Sequence, residues 1–328
     1  MINGWGNINV LVTGGFGFIG SNLVRALHQL TANITVMDNL DKRSGGNLYN
    51  LDDIKCDLKI THSSILNFDL LSDFIAKNDI VINCAGSTSH SRSMDEPYFD
   101  LDTNLKGTLN ILEAIRRFNP KCRLIHFGTT TQFGRLKNIP ANEMHPEFPT
   151  DIYSADKSLS EKHVLIYCKA FNIQGTVLRI SNTYGPYASI HSPEFTFNNY
   201  FLGQALQGKT INIYGDGMQK RNLLYVNDLI DAVIKCVASK ESIGETLLVT
   251  SDSHYSIGEI CSIIVNQCGS GSIKYIDWPA HKQVTEVGDQ IFNNNKARNL
   301  LKWSSSTKLV HGLTDTINFY RKNQIHYI

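Results

Sequence analysis

Seven consecutive residues constrain this chain more than any others: Gly14-Gly15-Phe16-Gly17-Phe18-Ile19-Gly20, directly after an apolar run at residues 8–13. Glycine permits a tight turn after a strand, lets backbone approach an anion, and lets the next helix pack closely on a sheet. Residues 21–30 follow with Leu23, Ala26, Leu27 and Leu30 on one helical face,. Strand, glycine loop and amphipathic helix in that order leave free helix N–H groups facing the loop. The arrangement predicts a dinucleotide pyrophosphate site built on Gly14, Gly17 and Gly20,.

Further apolar runs at residues 34–37, 80–84, 123–127 and 176–180 lack polar alternation. Strands of a parallel sheet buried on both faces look like this. Helices at 105–118 and 154–171 separate them, and residues 247–250 offer a last strand. The expected fold class is therefore α/β, a doubly wound (Rossmann) parallel sheet with a smaller α/β lobe. Residues 1–180, with 225–254 returning to them, form the expected dinucleotide domain. The loop-rich segments 181–224 and 255–328, with Gly215-Asp216-Gly217 and Gly269-Ser270-Gly271, form the expected substrate lobe.

Composition removes several classes of function. The net charge is +1 with no basic stripe, so nucleic acid and lipid surfaces are not expected partners,. Runs such as residues 79–85 are too short to span a bilayer, and no secretory signal is evident,. The seven cysteines form no CxxC pair, which suits reduced thiols in a cytoplasmic protein,. The eleven histidines show no HxxxH or HExxH spacing, and no metal is expected.

Asp38 ends the second strand 24 residues after Gly14. A carboxylate there accepts ribose hydroxyls and repels a 2′-phosphate, favouring NAD over NADP. Lys42 and Arg43 follow and pull the other way. Tyr153-Ser154-Ala155-Asp156-Lys157 places a phenol and an ammonium one helical turn apart,. Free tyrosine titrates near pH 10. A nearby positive charge favours phenolate, so Tyr153 and Lys157 are the expected catalytic pair.

These motifs resemble the extended short-chain dehydrogenase/reductase family of sugar-nucleotide epimerases, dehydratases and decarboxylases, nearest the 4-epimerases. The likeness runs through Asp38-Asn39, residues 83–86, Asn104-Leu105-Lys106-Gly107-Thr108, residues 128–134, Tyr153–Lys157, Asn182-Thr183-Tyr184-Gly185-Pro186 and residues 213–228. It implies cofactor contacts from Phe18, Ile19, Asn39, Ala85, Gly86 and Asn104, and from Ser64-Ile65, where many relatives have Asp-Ile. It implies that Thr129 completes the catalytic set with Tyr153 and Lys157. Ser87, Thr88, Arg92, Ser93 and Thr130 should border nicotinamide and sugar. Asn182 and Arg221 should hold the diphosphate, with Phe195 near the base. A homodimer through helices 105–118 and 154–171 is implied likewise, with Tyr167 and Phe171 on its apolar face.

In the family's dehydratases an acid and a base follow the threonine. Thr130 and Thr131 stand there in this chain and cannot act as acid and base near neutral pH,. The expected activity is thus an NAD-dependent 4-epimerase of a nucleotide sugar. A 4,6-dehydratase, a C4 dehydrogenase or a silent NAD-binding scaffold are the alternatives. Two departures stand out. Asn222 replaces the usual aspartate after the arginine, and Glu286-Val287-Gly288-Asp289 lacks the arginine that many relatives place before Gly-Asp. Arg298 is a candidate to compensate.

Overall fold

The apolar runs become the inner strands of one large sheet. The structure, a computed structural model, describes residues 5–279 and 286–328. Seven strands are all parallel: β1 Asn9–Thr13, β2 Asn33–Asp38, β3 Lys59–His62, β4 Ile80–Asn83, β5 Arg123–Thr129, β6 Gln174–Ile180 and β10 Thr246–Val249. Their spatial order is β10-β6-β5-β4-β1-β2-β3. Every residue of β4, β5 and β10 is buried, as strands covered on both faces require,. The chain is a doubly wound α/β fold, as the sequence led us to expect.

Helices α1 Phe18–Gln29, α2 Phe68–Ile75, α5 Gly107–Phe118, α6 Ile152–Phe171 and α8 Val226–Ala238 pack around this sheet. Short helices α3 His90–Asp95 and α4 Pro97–Asp100 precede α5, joined to it by a π-turn at Leu101–Lys106. The expected helix at 105–118 therefore starts its α-helical geometry two residues later. The helix expected at 154–171 starts two residues earlier, because the Asp151 side chain caps it on Ser154 N at 2.8 Å,. Strand β3 had no counterpart among the apolar runs. It is a sheet edge whose residues stay partly exposed, so its sequence need not be apolar,.

The remaining elements carry two small sheets. Strand β9 Lys220–Tyr225 lies between β7 Asn182–Tyr184, parallel to it, and β11 His254–Ser256, antiparallel. Strand β8 Thr210–Tyr214 pairs in parallel with β12 Ser272–Ile276. Helices α7 Phe197–Leu206, α9 Ile257–Cys268, α10 Asn295–Leu301 and α11 Leu309–Asn323 complete the chain. One apolar cluster runs from Val10, Val12 and Val36 to Ile264, Trp303 and Tyr320, joining these helices to the sheet. Among the described residues, no helix is long and apolar enough to cross a membrane.

Candidate active site

Three clefts open at the carboxyl ends of the large sheet and beside β8. The first two share Gly14, Gly17, Ser44, Cys84 and Gly86 and form one groove. At its floor the glycine loop is forced by contacts. Gly14 sits at φ 65°, and a Cβ on Gly20 would stand 2.1 Å from the Gly14 carbonyl oxygen. Only glycine lets α1 approach the loop this closely. Gly17 is the N-cap of α1 and supplies no side-chain cap, so the first-turn N–H groups face the groove uncapped. That is the donor set a pyrophosphate needs, and NAD fits it.

One end of the groove is lined by Asp38, Asn39, Ser64, Ile65 and Ala85, the residues expected beside adenosine. Asp38 accepts from Leu40 N at 2.8 Å and Phe16 N at 2.9 Å. Burial nonetheless pushes its carboxyl above the usual carboxylate range, outweighing those two donors,. Arg43 also lines this end, but its guanidinium is paired with Asp41 at 2.7 Å and Glu96 at 2.9 Å and lies 3.7 Å from the Phe99 ring centre. Of the two cations that pulled towards NADP, Arg43 is thus already engaged, and Lys42 does not line the groove.

The other end is lined by Phe18, Ile19, Thr88, Thr129, Thr130, Tyr153, Asn182 and Phe195. Tyr153 is buried, hydrogen-bonded by the Thr129 side chain, and His90 packs edge-on against its ring at 4.9 Å. His90 Nδ1 in turn lies 2.8 Å from Asp151, so the cap of α6 also fixes the phenol's neighbour. Thr129 Oγ1 lies 3.0 Å from Thr131 Oγ1, which accepts from Ser154 Oγ at 2.9 Å. Thr131 is therefore held beside Thr129 by hydroxyl partners and lines the same end of the groove.

Electrostatics differ from the expectation in one respect. Burial is the largest influence on Tyr153 and raises its pKa above that of free tyrosine, with Asp100 and Asp151 adding to the rise and the Thr129 hydrogen bond opposing it. Lys157 is buried beneath the cleft, and desolvation pulls it down to about 8 against the charges of Asp100 and Glu161. Packing alone thus favours the protonated phenol, and a positive charge beside it would shift it back towards the phenolate,.

Lys157 and Asn104 do not line the groove; they lie beneath it. Asn104 donates to Asp100 Oδ1 at 2.8 Å and to the Ser87 carbonyl at 3.0 Å. The carboxyls of Asp100 and Asp156 meet here, and the second oxygen of each is buried without a donor. One proton held between two such groups relieves their repulsion. Burial and the Asp100 charge push Asp156 up to about 6. No sequence signal joined these two residues, because 56 positions separate them.

Arg92 and Ser93 line none of the three clefts. Arg92 donates to the Arg43 carbonyl, and the Ser93 hydroxyl donates to the His90 carbonyl at 2.8 Å. Arg298 is a half-exposed helix residue paired with Asp252 at 2.7 Å, so it does not take the place of the missing arginine. Arg221 lines the third cleft, with Tyr200, Tyr214 and Trp278, and is paired with Glu286. Asn222 is fully buried, accepting from Ser181 Oγ at 2.7 Å and Ser251 N at 2.9 Å, a structural hub. Asp41, Ser44, Gly45 and Gly46 also line the groove, which the sequence reading did not expect. Their signal was Gly45-Gly46: Gly45 has φ 78°, and a Cβ there would lie 2.9 Å from the Phe195 ring.

Residues 10–258 match the NAD dependent epimerase/dehydratase family. The chain belongs to that family. Its cofactor is NAD. A putative UDP-glucose 4-epimerase of Methanocaldococcus jannaschii is 27% identical over 315 residues, covering 96% of this chain and 99% of that protein. A dTDP-glucose 4,6-dehydratase of Mycolicibacterium smegmatis is 30% identical over 326 residues, covering 97% of this chain and 94% of that one. The crystal structure of dTDP-glucose 4,6-dehydratase from Bacillus anthracis in complex with NAD superposes with a TM-score of 0.85 at 28% identity. It covers 98% of both chains. This family member is therefore similar to epimerases and dehydratases alike.

Proposed function

We propose that this protein is an NAD-dependent 4-epimerase of a nucleoside-diphosphate sugar. One observation carries the choice within the family: no carboxyl side chain lines the cleft at Tyr153 among the described residues. Thr130 and Thr131 follow Thr129 where elimination of water would need an acid and a base,. Epimerisation needs only a proton acceptor at O4 and a route for hydride.

In this reading Thr129 orients the C4 hydroxyl and Tyr153 takes its proton. Bound NAD supplies the hydride acceptor and donor for C4 and a positive charge beside the phenol. Lys157 holds its charge under the site and fixes the phenol's surroundings. Asn182 and Arg221 keep the diphosphate anchored while the 4-keto sugar turns, with Phe195 packed against the nucleotide. Tyr153 then returns its proton on the opposite face. Residues 1–180 with 225–254 carry the cofactor, and residues 181–224 and 255–328 carry the substrate. The seven unpaired thiols support a cytoplasmic location,. The exposed Leu159, Ile166 and Phe171 on α6, with Phe118 ending α5, support a homodimer through these helices,.

The test is incubation with UDP-, dTDP-, CDP- and GDP-hexoses deuterated at C4, read by NMR. An epimer that keeps the label is expected, and Tyr153→Phe should abolish it while NAD stays bound. A 4-keto-6-deoxy product would replace this reading with a dehydratase. A 4-keto sugar with its C6 hydroxyl intact would replace it with a dehydrogenase.

A further inference from the structure

Arg221 lines a cavity of about 470 Å³ together with Tyr200, Phe201, Tyr214 and Trp278. Every terminal nitrogen of its guanidinium is taken. Nη2 donates to both Glu286 carboxylate oxygens, at 2.9 and 3.1 Å, and Nη1 donates to the Gly288 carbonyl at 2.7 Å and the Lys220 carbonyl at 3.0 Å. Glu286 is held in turn by Gly288 N at 2.9 Å. The segment is clamped on β9, because Asp289 accepts from Lys220 N at 2.8 Å and Gln290 N donates to the Lys220 carbonyl at 3.0 Å. Both side chains are largely buried, so the pair is poorly screened,.

Both Glu286 oxygens bond one nitrogen, Nη2, and a phosphate oxygen on Arg221 would draw on that same donor,. Resting on the reading of Arg221 as the substrate anchor, we propose that Glu286 is a specificity-determining residue. It competes internally with the substrate's diphosphate for Arg221. A ligand phosphate must displace the carboxylate, which stays nearby on Gly288 N and repels it. The repulsion grows with ligand charge. A free nucleoside diphosphate carries one more negative charge near neutral pH than its sugar ester. Glu286 therefore biases the anchor towards the sugar ester and against the free diphosphate, and it eases release of both.

The test is calorimetric titration of the full chain, NAD-loaded, with UDP, dTDP, CDP and GDP and with the glucose ester of whichever binds most tightly. Glu286→Gln keeps a hydrogen-bonding side chain and removes the charge. It should tighten the free diphosphate on the order of tenfold and the sugar ester by less. Arg221→Ala should weaken both ligands, and adding Glu286→Gln to Arg221→Ala should restore nothing. Unchanged NAD affinity in all three variants reports an intact fold. Weakening by Arg221→Ala with no tightening by Glu286→Gln would overturn the inference alone. Equal tightening of both ligands would overturn the charge bias. No change with either substitution would overturn the substrate-anchor reading and this inference with it.

Discussion

Asp38 joins two demands at one carboxylate. It accepts two backbone N–H groups that shape the glycine loop and its own turn, and it lines the end of the groove proposed for the adenosine ribose. Asp38→Ala should weaken NAD and narrow its preference over NADP, measured by titration with both cofactors. Arg43, occupied by Asp41 and Glu96, offers little to a 2′-phosphate. Tighter binding of NADP than NAD by the native protein would contradict this. Asp156 allows a second test at the same scale. Its folded pKa of about 6 lies above the unfolded carboxylate value,. The folded chain therefore binds the extra proton, and its stabilising effect is present below about pH 4 and lost as pH rises through 6. Asp156→Asn removes the titration. The native protein should lose on the order of 1–2 kcal/mol relative to that variant between pH 4 and 7, after allowance for screening. Urea midpoints across that range measure it, and parallel curves would refute the shared proton.

Elements set how these residues meet. Helix α6 begins at the Asp151 cap, which fixes Tyr153 in the first turn and Lys157 one turn further along the same face,. Its opposite side leaves Leu159 and Ile166, seven residues apart and so on one face, half-exposed,. Tyr167 adds a bridge between the helices, donating to Glu113 on α5 at 2.7 Å. Ile166→Glu should place a charge in the proposed dimer interface and yield a monomer in sedimentation, with NAD binding retained. A dimer that survives the substitution would remove α6 from the interface. The π-turn at Leu101–Lys106 has its own role, since such turns shift the face a helix presents. Here it lets Asn104 reach both Asp100 and the Ser87 carbonyl beneath the groove.

The whole molecule is closed by its last residues. Tyr327 donates to Asn50 Oδ1 at 2.6 Å, and Asn50 Nδ2 donates to the Phe16 carbonyl in the glycine loop at 2.9 Å. His326 stacks on Tyr49 with centroids 3.6 Å apart. A contact spanning 277 positions thus braces the cofactor loop. Tyr327→Phe leaves a buried amide oxygen without its donor, a loss of roughly 1–3 kcal/mol. A Tm a few degrees lower and weaker NAD binding are expected by thermal denaturation and titration. An unchanged Tm would show the brace to be dispensable. At this scale the fold also sets chemistry, because burial where α6 packs on β5, β6 and the α3–α4 segment raises Tyr153 and lowers Lys157.

Local periodicity determined a good part of this protein. Strands β1, β4, β5 and β6 were readable because residues buried on both faces must be apolar in an unbroken run. The glycine loop was readable because turn, approach and packing each demand glycine at a fixed interval. Tyr153 and Lys157 were readable because one helical turn fixes their spacing. Tertiary structure alone decided the rest. Strand β3 has an edge to itself and so carries no apolar signature. The pairing of Asp100 with Asp156, of Arg43 with Glu96 and of Arg221 with Glu286 depends on folding that joins distant segments. Whether a charge is free or occupied, and whether a phenol is acidic or not, follows from what the fold packs against it. Neighbouring letters in the chain hold no record of those contacts.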